Sequence, residues 1–79
     1  MAEINLSELL SGIADALEVD HSLLTEDSSS IDVEEWDSMG HISIMSFLDK
    51  QFSEITERVP DFASATSVRE IHELLKLNI

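Results

Sequence analysis

Apolar residues repeat at helical spacing in three stretches of the chain, and a long polar segment separates the first stretch from the second. Residues three and four positions apart share one face of an α-helix, so each stretch predicts an amphipathic helix. No stretch alternates as a half-buried strand would. The spacing therefore predicts an all-α fold, a small helical bundle whose single domain spans residues 1–79. The apolar stripes are Leu6, Leu9, Leu10, Ile13 and Leu17 in the first helix; Met39, Ile42, Met45, Leu48 and Phe52 in the second, widened by Ile44, Phe47 and Ile55; and Val68, Ile71, Leu74 and Leu75 in the last.

The first and last helices begin with a short polar residue that is followed three positions later by a glutamate. Asn5 precedes Glu8 in this way, and Ser67 precedes Glu70. This spacing is that of a capping box, in which the two side chains satisfy free N–H groups at the helix start. The pattern predicts helix starts at residues 5 and 67.

The segment of residues 19–37 is rich in serine and aspartate. Connections longer than about 12–15 residues are uncommon in compact domains and tend to be functional or disordered. This one contains Leu23, Leu24, Ile31 and Val33. We expect these four side chains to hold it against the core as an ordered connection.

Acidic residues outnumber basic ones by seventeen to four, and the formal net charge is −13. Eleven of the acids precede Ser38, and the first basic residue is Lys50. Such a surface repels nucleic-acid phosphates and anionic membranes, and it attracts basic patches on partner proteins. We expect no nucleic-acid partner, no membrane insertion and a monomer.

Two further features bound the chemistry and the compartment. Cysteine is absent, so the chain offers no disulfide, no thiolate zinc site and no cysteine nucleophile. No apolar run approaches the ~20 residues of a membrane span, and the first residues lack the basic start and apolar core of a signal peptide. We expect a cytoplasmic protein.

The segment from Trp36 to His41 reads Trp-Asp-Ser-Met-Gly-His and runs directly into the second apolar stripe. Either Asp37 or Ser38 can cap the helix that starts here. The segment and its position in a short acidic chain resemble the acyl carrier proteins, and the resemblance covers almost the whole sequence. In that family the serine after an aspartate receives 4'-phosphopantetheine from coenzyme A.

The resemblance implies a fold of three main helices and one short helix, with a long loop between helices one and two. Pro60 interrupts the helical pattern, and residues 61–65 are expected to form the short helix with Phe62 inside. It also implies that Ser38 is the attachment point and that the chain is not itself an enzyme. The expected partners are a phosphopantetheinyl transferase, an acyl-loading enzyme and acyltransferases with basic docking surfaces.

The resemblance also suggests roles for the neighbours of Ser38. Asp37 and Met39 are expected to be recognised by the transferase and other partners, together with Trp36 and His41. Trp36 is expected to anchor the loop in the core, with a place beside the prosthetic arm as the alternative. His41 is expected to be an exposed polar residue, with a contact to the phosphate of the arm as the alternative.

Six apolar residues are expected to form the core and, by resemblance, to surround an acyl chain when the later helices separate. These acyl-pocket candidates are Met45, Leu48, Phe52, Phe62, Ile71 and Leu75. The sequence leaves the cargo open, because the Trp-Asp-Ser opening also resembles that of stand-alone aminoacyl and peptidyl carriers. The exposed face of the second helix is expected to carry Gly40, His41, Ser43 and Ser46 rather than acids, which favours a specialised lipid, envelope-lipid or secondary-metabolite pathway over bulk fatty-acid synthesis.

Other classes of protein fit less well. Trp36, not glycine, stands two residues before Ser38, so the nucleophile elbow of serine hydrolases is missing. The three histidines lack metal-ligand spacing, and an EF-hand starting at Asp27 would have Ile31 and Asp32 where an oxygen ligand and a glycine are needed. An unmodified acidic helical interaction module remains the second alternative, with Ser38 acting only as a helix cap.

Overall fold

The computed structural model describes residues 5–78; residues 1–4, on which the expectation about a signal peptide partly rests, and Ile79 lie outside the described residues. Four α-helices follow one another: α1 (Leu6–Leu17), α2 (Ser38–Phe52), α3 (Ile55–Arg58) and α4 (Val68–Asn78). Two 3-10 turns accompany them, at His21–Leu23 and at Pro60–Ser64. Residues 5–78 contain no strand, only an isolated bridge between Ser29 and Ser67. The predicted all-α fold is confirmed.

Asn5 and Ser67 cap α1 and α4 as predicted, but Glu8 and Glu70 accept hydrogen bonds from the cap side chains rather than from the backbone N–H groups of a full capping box. The Asn5 side chain accepts a hydrogen bond from the Glu8 N–H at 2.8 Å. The Ser67 hydroxyl oxygen accepts from the Glu70 N–H at 3.1 Å, and the hydroxyl donates to the Glu70 carboxylate at 3.2 Å. These bonds satisfy N–H groups that a helix start leaves free, so the local sequence fixes where α1 and α4 begin.

The core lies between α1, α2 and α4, with Trp36 and Phe62 from the connections completing it. On α2 the buried face is narrower than predicted: Ile44, Leu48 and Phe52 are buried, whereas Met39 and Ile42 are 78% and 59% exposed. The prediction that Met39 and Ile42 belong to the buried stripe is wrong. The buried residues are Leu9, Ile13, Ala14, Leu17, Leu24, Trp36, Ile44, Leu48, Phe52, Ile55, Phe62, Ala65, Val68, Ile71 and Leu75.

Helix α2 ends earlier than its apolar pattern suggests. Ser53 and Glu54 both have positive φ angles, 54° and 59°, which end the helix at Phe52. Ile55 is buried, but it lies in the separate short helix α3 rather than on α2. The expected short helix after Pro60 is a 3-10 turn over Pro60–Ser64, and its Phe62 side chain is buried as predicted.

Backbone hydrogen bonds and buried side chains both hold the long connection between α1 and α2 to the rest of the chain. The Ser30 N–H donates to the Thr66 carbonyl at 2.8 Å, and the Val68 N–H donates to the Ser28 carbonyl at 3.0 Å. Leu24 is buried and Val33 packs against the core. The other two predicted anchors are wrong: Leu23 is 67% and Ile31 is 93% exposed.

The first part of this connection contains the 3-10 turn at His21–Leu23, which Asp20 caps. The Asp20 carboxylate accepts hydrogen bonds from the N–H and the hydroxyl of Ser22, at 2.9 and 2.8 Å. The backbone bond from Ser22 contributes most to lowering the pKa of Asp20 below its ordinary value. This cap determines the 3-10 turn that leads to the buried Leu24.

The end of the connection lies directly on α2, at Gly40. A Cβ added to Gly40 would overlap the Glu35 carbonyl oxygen and would lie 2.8 Å from Cδ2 of Leu17. Backbone oxygen cannot move aside as a flexible side chain can, so Gly40 is required here for a close approach of two backbone segments. The approach places Trp36 and Asp37 at the start of α2.

Gly40→Ala tests this approach. Alanine should gain up to about 1 kcal/mol in helix propensity but lose more through overlap with the Glu35 carbonyl, which gives a net loss of about 1–2 kcal/mol in unfolding free energy. Urea unfolding measures it, with Ser46→Ala on the exposed side of α2 as a control that changes stability by less than about 0.5 kcal/mol. A Gly40→Ala protein as stable as the parent would contradict the close contact between the Glu35 carbonyl and the α2 backbone at Gly40.

Candidate functional site

Ser38 is the first residue of α2, and its side chain is exposed. The helix cap is Asp37, whose carboxylate accepts a hydrogen bond from the Gly40 N–H at 2.8 Å. None of the hydrogen bonds found among residues 5–78 engages the Ser38 hydroxyl. Ser38 is therefore not the cap, and its hydroxyl is exposed at the helix start.

The helix start supplies a positive environment around this hydroxyl. The N–H groups of Ser38 and Met39 belong to the first turn and have no intrahelical acceptor. Together with the aligned peptide dipoles they favour negative charge at this end of α2. A phosphate ester on Ser38 would find hydrogen-bond donors within its own helix.

Trp36 is buried, with 3% of its surface exposed. Its indole N–H donates to Nδ1 of His41 at 3.1 Å, and the two rings are nearly parallel, with centroids 6.3 Å apart and planes at 14° to one another. The expectation that Trp36 anchors the loop in the core is confirmed. The bond to His41 gives the indole N–H the partner that a buried tryptophan needs.

His41 is half-buried rather than exposed, so the expectation of an exposed polar residue is wrong. Its Nε2 lies 2.9 Å from the Phe62 carbonyl oxygen. Because an indole N–H only donates, Nδ1 must accept, and Nε2 then carries the proton and donates to Phe62. We call this chain of contacts the Trp36–His41–Phe62 bridge. Both ring nitrogens are used in it, so His41 has no lone pair available to act as a base for Ser38.

An open groove of about 460 Å³ lies beside Ser38, between the start of α2 and the segment that leads into α4. Its walls combine apolar side chains with hydroxyl groups, and no lysine or arginine lines it. Trp36, Asp37, Ser38 and His41 were predicted as site residues, and Ile42 was predicted to lie in the core instead. The remaining lining residues carry no local signal in the sequence. The lining consists of Ser30, Trp36, Asp37, Ser38, His41, Ile42, Ala63, Ala65 and Thr66.

The six acyl-pocket candidates lie elsewhere. Leu48, Phe52, Phe62, Ile71 and Leu75 are all buried in the core, as predicted, and Met45 is half-buried. None of the six lines the groove beside Ser38. The prediction that Met45 belongs to the core is wrong, because it lies outside the cluster of buried residues, whereas the other five pack in that cluster.

The surface around Ser38 is acidic with apolar residues between the acids. Asp32, Glu34, Glu35 and Asp37 are all exposed on the chain that leads to α2. Met39, Ile42 and Ile31 are large apolar residues exposed in the same part of the sequence. Such a surface fits a partner that is basic at its rim and apolar at its centre.

The exposed face of α2 beyond this point carries little charge. Gly40 and His41 are half-buried, so the prediction that they lie on the exposed face is wrong, whereas Ser43 and Ser46 are exposed as predicted. Asp49 accepts hydrogen bonds from the N–H and the hydroxyl of Thr56, at 2.9 and 2.8 Å. Its carboxylate is therefore engaged in joining α2 to α3.

Within residues 5–78, no group of three or more histidine and acidic side chains could hold a metal ion. His21 instead pairs with Asp15, with 2.8 Å between Nε2 and the carboxylate oxygen. Over the same range, no helix has the length and apolar character needed to cross a membrane.

Comparison with known proteins yields no match to a family model, to a curated protein or to a solved structure. The class of protein must therefore be inferred from the residues and their geometry. The chain forms a small helical domain, and its candidate site is built around an exposed serine at the start of α2.

A double-mutant cycle measures the Trp36–His41 contact. Trp36→Phe removes the indole donor, and His41→Ala removes its acceptor. We expect the double mutant to be more stable than the sum of the single losses implies, with a coupling energy of about 1 kcal/mol in urea unfolding. Trp36→Phe combined with Ser43→Ala should be additive. Additivity in both cycles would contradict the hydrogen bond.

Proposed function

We propose that this protein is an acyl carrier, in which Ser38 receives 4'-phosphopantetheine and the chain delivers the attached cargo to partner enzymes. The observation that carries the proposal is that Asp37, not Ser38, caps α2, which leaves the Ser38 hydroxyl exposed beside a groove. A serine that served only as a helix cap would have its oxygen on the helix N–H groups. The alternative of an unmodified module, in which Ser38 is merely the cap, loses that support.

The element order also agrees with the proposal. The connection of residues 18–37 between α1 and α2 supports the long loop that the resemblance to acyl carrier proteins implies, and the three longer helices are compatible with it. The short α-helix lies at Ile55–Arg58, before Pro60 rather than after it. Seventy-nine residues suffice for one such domain. We propose that the chain forms an acyl-carrier-like bundle and works in the cytoplasm as a monomer.

The chemistry at Ser38 requires a separate enzyme. In the proposed reaction the serine oxygen forms a bond to the phosphorus of the phosphopantetheine half of coenzyme A, the pyrophosphate bond breaks, and adenosine 3',5'-bisphosphate leaves. In this proposal the hydroxyl proton passes to a base on the transferase, and His41 does not take it because both of its nitrogens are engaged with Trp36 and Phe62. The N–H groups of Ser38 and Met39 then face the negative charge of the phosphodiester.

The groove beside Ser38 fits the prosthetic arm in chemical character. Ile42, Ala63 and Ala65 offer apolar surface, while Ser30 and Thr66 offer hydroxyl groups. Pantetheine is likewise mixed, with methyl groups between two amides and a hydroxyl. When attached, the arm supplies a terminal thiol that carries an acyl group as a thioester, which this chain without cysteine could not otherwise form.

The proposed partners are a phosphopantetheinyl transferase, an acyl-loading enzyme and acyltransferases with basic docking surfaces. The exposed acids before Ser38 and the exposed Met39 and Ile42 support this choice. Because Asp49 is engaged by Thr56, α2 itself presents no free acid after its start. This favours dedicated partners in a specialised lipid, envelope-lipid or secondary-metabolite pathway, with an aminoacyl or peptidyl carrier as the alternative.

The test of the attachment site is the intact mass after incubation with coenzyme A, magnesium and a broad-specificity phosphopantetheinyl transferase. The parent and Ser43→Ala, which removes another exposed serine of α2, should each gain one phosphopantetheine. Ser38→Ala should gain none. A gain by Ser38→Ala, or no gain by the parent with this transferase and with that of the native host, would refute the proposal.

The Asp37→Asn variant distinguishes two roles of Asp37, the capping of α2 and the proposed recognition by the transferase. Asparagine still caps a helix, so unfolding free energy should change by less than about 0.5 kcal/mol. If the transferase reads the Asp37 charge, the modification rate should fall about tenfold or more, the effect of losing one charged hydrogen bond. Glu34→Gln removes the same charge from a nearby exposed acid and should leave the rate nearly unchanged. Equal effects of the two variants would show that only overall acidity matters.

A further inference from the structure

The Trp36–His41–Phe62 bridge lies one helical turn after Ser38, on the face of α2 that also carries the buried Leu48 and Phe52. Residues at positions 38, 41, 45, 48 and 52 follow one another along one face of α2, at spacings of three and four. His41 is therefore the first residue that a chain leaving Ser38 along this face would meet. Beyond it come three of the acyl-pocket candidates, Met45, Leu48 and Phe52.

At its other end, the bridge joins His41 to the 60–64 turn, which packs beside α2. Phe62, another acyl-pocket candidate, has its side chain in the core and its carbonyl oxygen bound to Nε2 of His41. Separating α2 from the 60–64 turn would break that bond. On the other side of the ring, the buried indole N–H of Trp36 holds His41 in place, and it has no other partner among the hydrogen bonds of residues 5–78. A movement of His41 away from Trp36 would leave that N–H unpaired. An unpaired buried donor is unfavourable, so the bridge resists opening.

We propose that the Trp36–His41–Phe62 bridge keeps the cargo on Ser38 out of the core, so that the protein carries short or polar acyl groups, including aminoacyl groups, in the groove. The identity of the cargo rests on the proposed function. The exclusion of an attached chain from the core by the bridge does not, because it depends only on the fold. Exposing a long alkyl chain to water is unfavourable. A carrier whose core does not admit the chain is therefore suited to cargo with little apolar surface. His41 is the specificity-determining residue.

A cysteine at position 38 tests the closure without any transferase. The chain has no cysteine, so Ser38→Cys is labelled uniquely, once with N-ethylmaleimide and once with N-octylmaleimide. With His41 present, the two adducts should melt within about 1 °C of each other. Nuclear Overhauser contacts should be absent between the octyl chain and the methyl groups of Leu48, Ile71 and Leu75.

Adding His41→Ala should open the core. The octyl adduct should then melt at least about 4 °C above the ethyl adduct and should show contacts to the core methyl groups. His41→Gln provides the matched control, because its amide carries one acceptor and one donor and can replace both bonds of the imidazole. With His41→Gln, the two adducts should again melt within about 1 °C of each other, without contacts between the octyl chain and the core.

Two results would overturn the proposal. Octyl contacts to the core in the protein with His41 would show that the bridge does not exclude the chain, and this readout needs no His41 variant to fold. Equal melting of both adducts in a folded His41→Ala protein, without core contacts, would show that His41 is not the barrier. Failure of the proposed function appears separately, as the missing mass gain at Ser38, and leaves the adduct results intact.

Discussion

The contact between the Glu35 carbonyl and the backbone of α2 at Gly40 determines where the residues of the site lie. With no side chain between them, the loop lies directly on the helix, and Trp36 enters the core one residue later. Asp37 then reaches the Gly40 N–H, and Ser38 begins the helix with its side chain outward. Glycine is a poor helix former, so its presence in the first turn is explained by this packing and not by the helix.

Two connections lie at the start of α2, and a hydrogen bond joins each of them to another part of the fold. The loop before α2 is bound to the start of α4 through the Ser30 N–H and the Thr66 carbonyl. The 60–64 turn is bound to α2 through His41 and the Phe62 carbonyl. Sites on loops are precise only when the loops are held by such contacts. The groove beside Ser38 therefore has walls that are fixed to one another as well as to the helix.

Local signals made part of this structure predictable. The caps formed by Asn5 and Ser67 depend on residues three apart, and the sequence placed both helix starts correctly. The phase of the α2 stripe was not predictable, because apolar residues occur on several sides and only the neighbours decide which side is covered. Met39 and Ile42 were misplaced for this reason. The role of His41 depends on Phe62, twenty-one residues away, and no local pattern could reveal that contact.

The position of His41 has two consequences that point in the same direction. An enzyme that used Ser38 as its own nucleophile would need a base within hydrogen-bond reach, with a lone pair free to take the proton. His41 is the histidine nearest to Ser38 in sequence, and its lone pair is occupied by the indole of Trp36. A serine modified by another enzyme needs the opposite: exposure, no competing hydrogen bond and a surface that the enzyme recognises. The hydrogen bonds that join Trp36 to Phe62 through the imidazole therefore leave His41 unable to act as a base for Ser38. In the proposed carrier the same bonds would also separate Ser38 from the core.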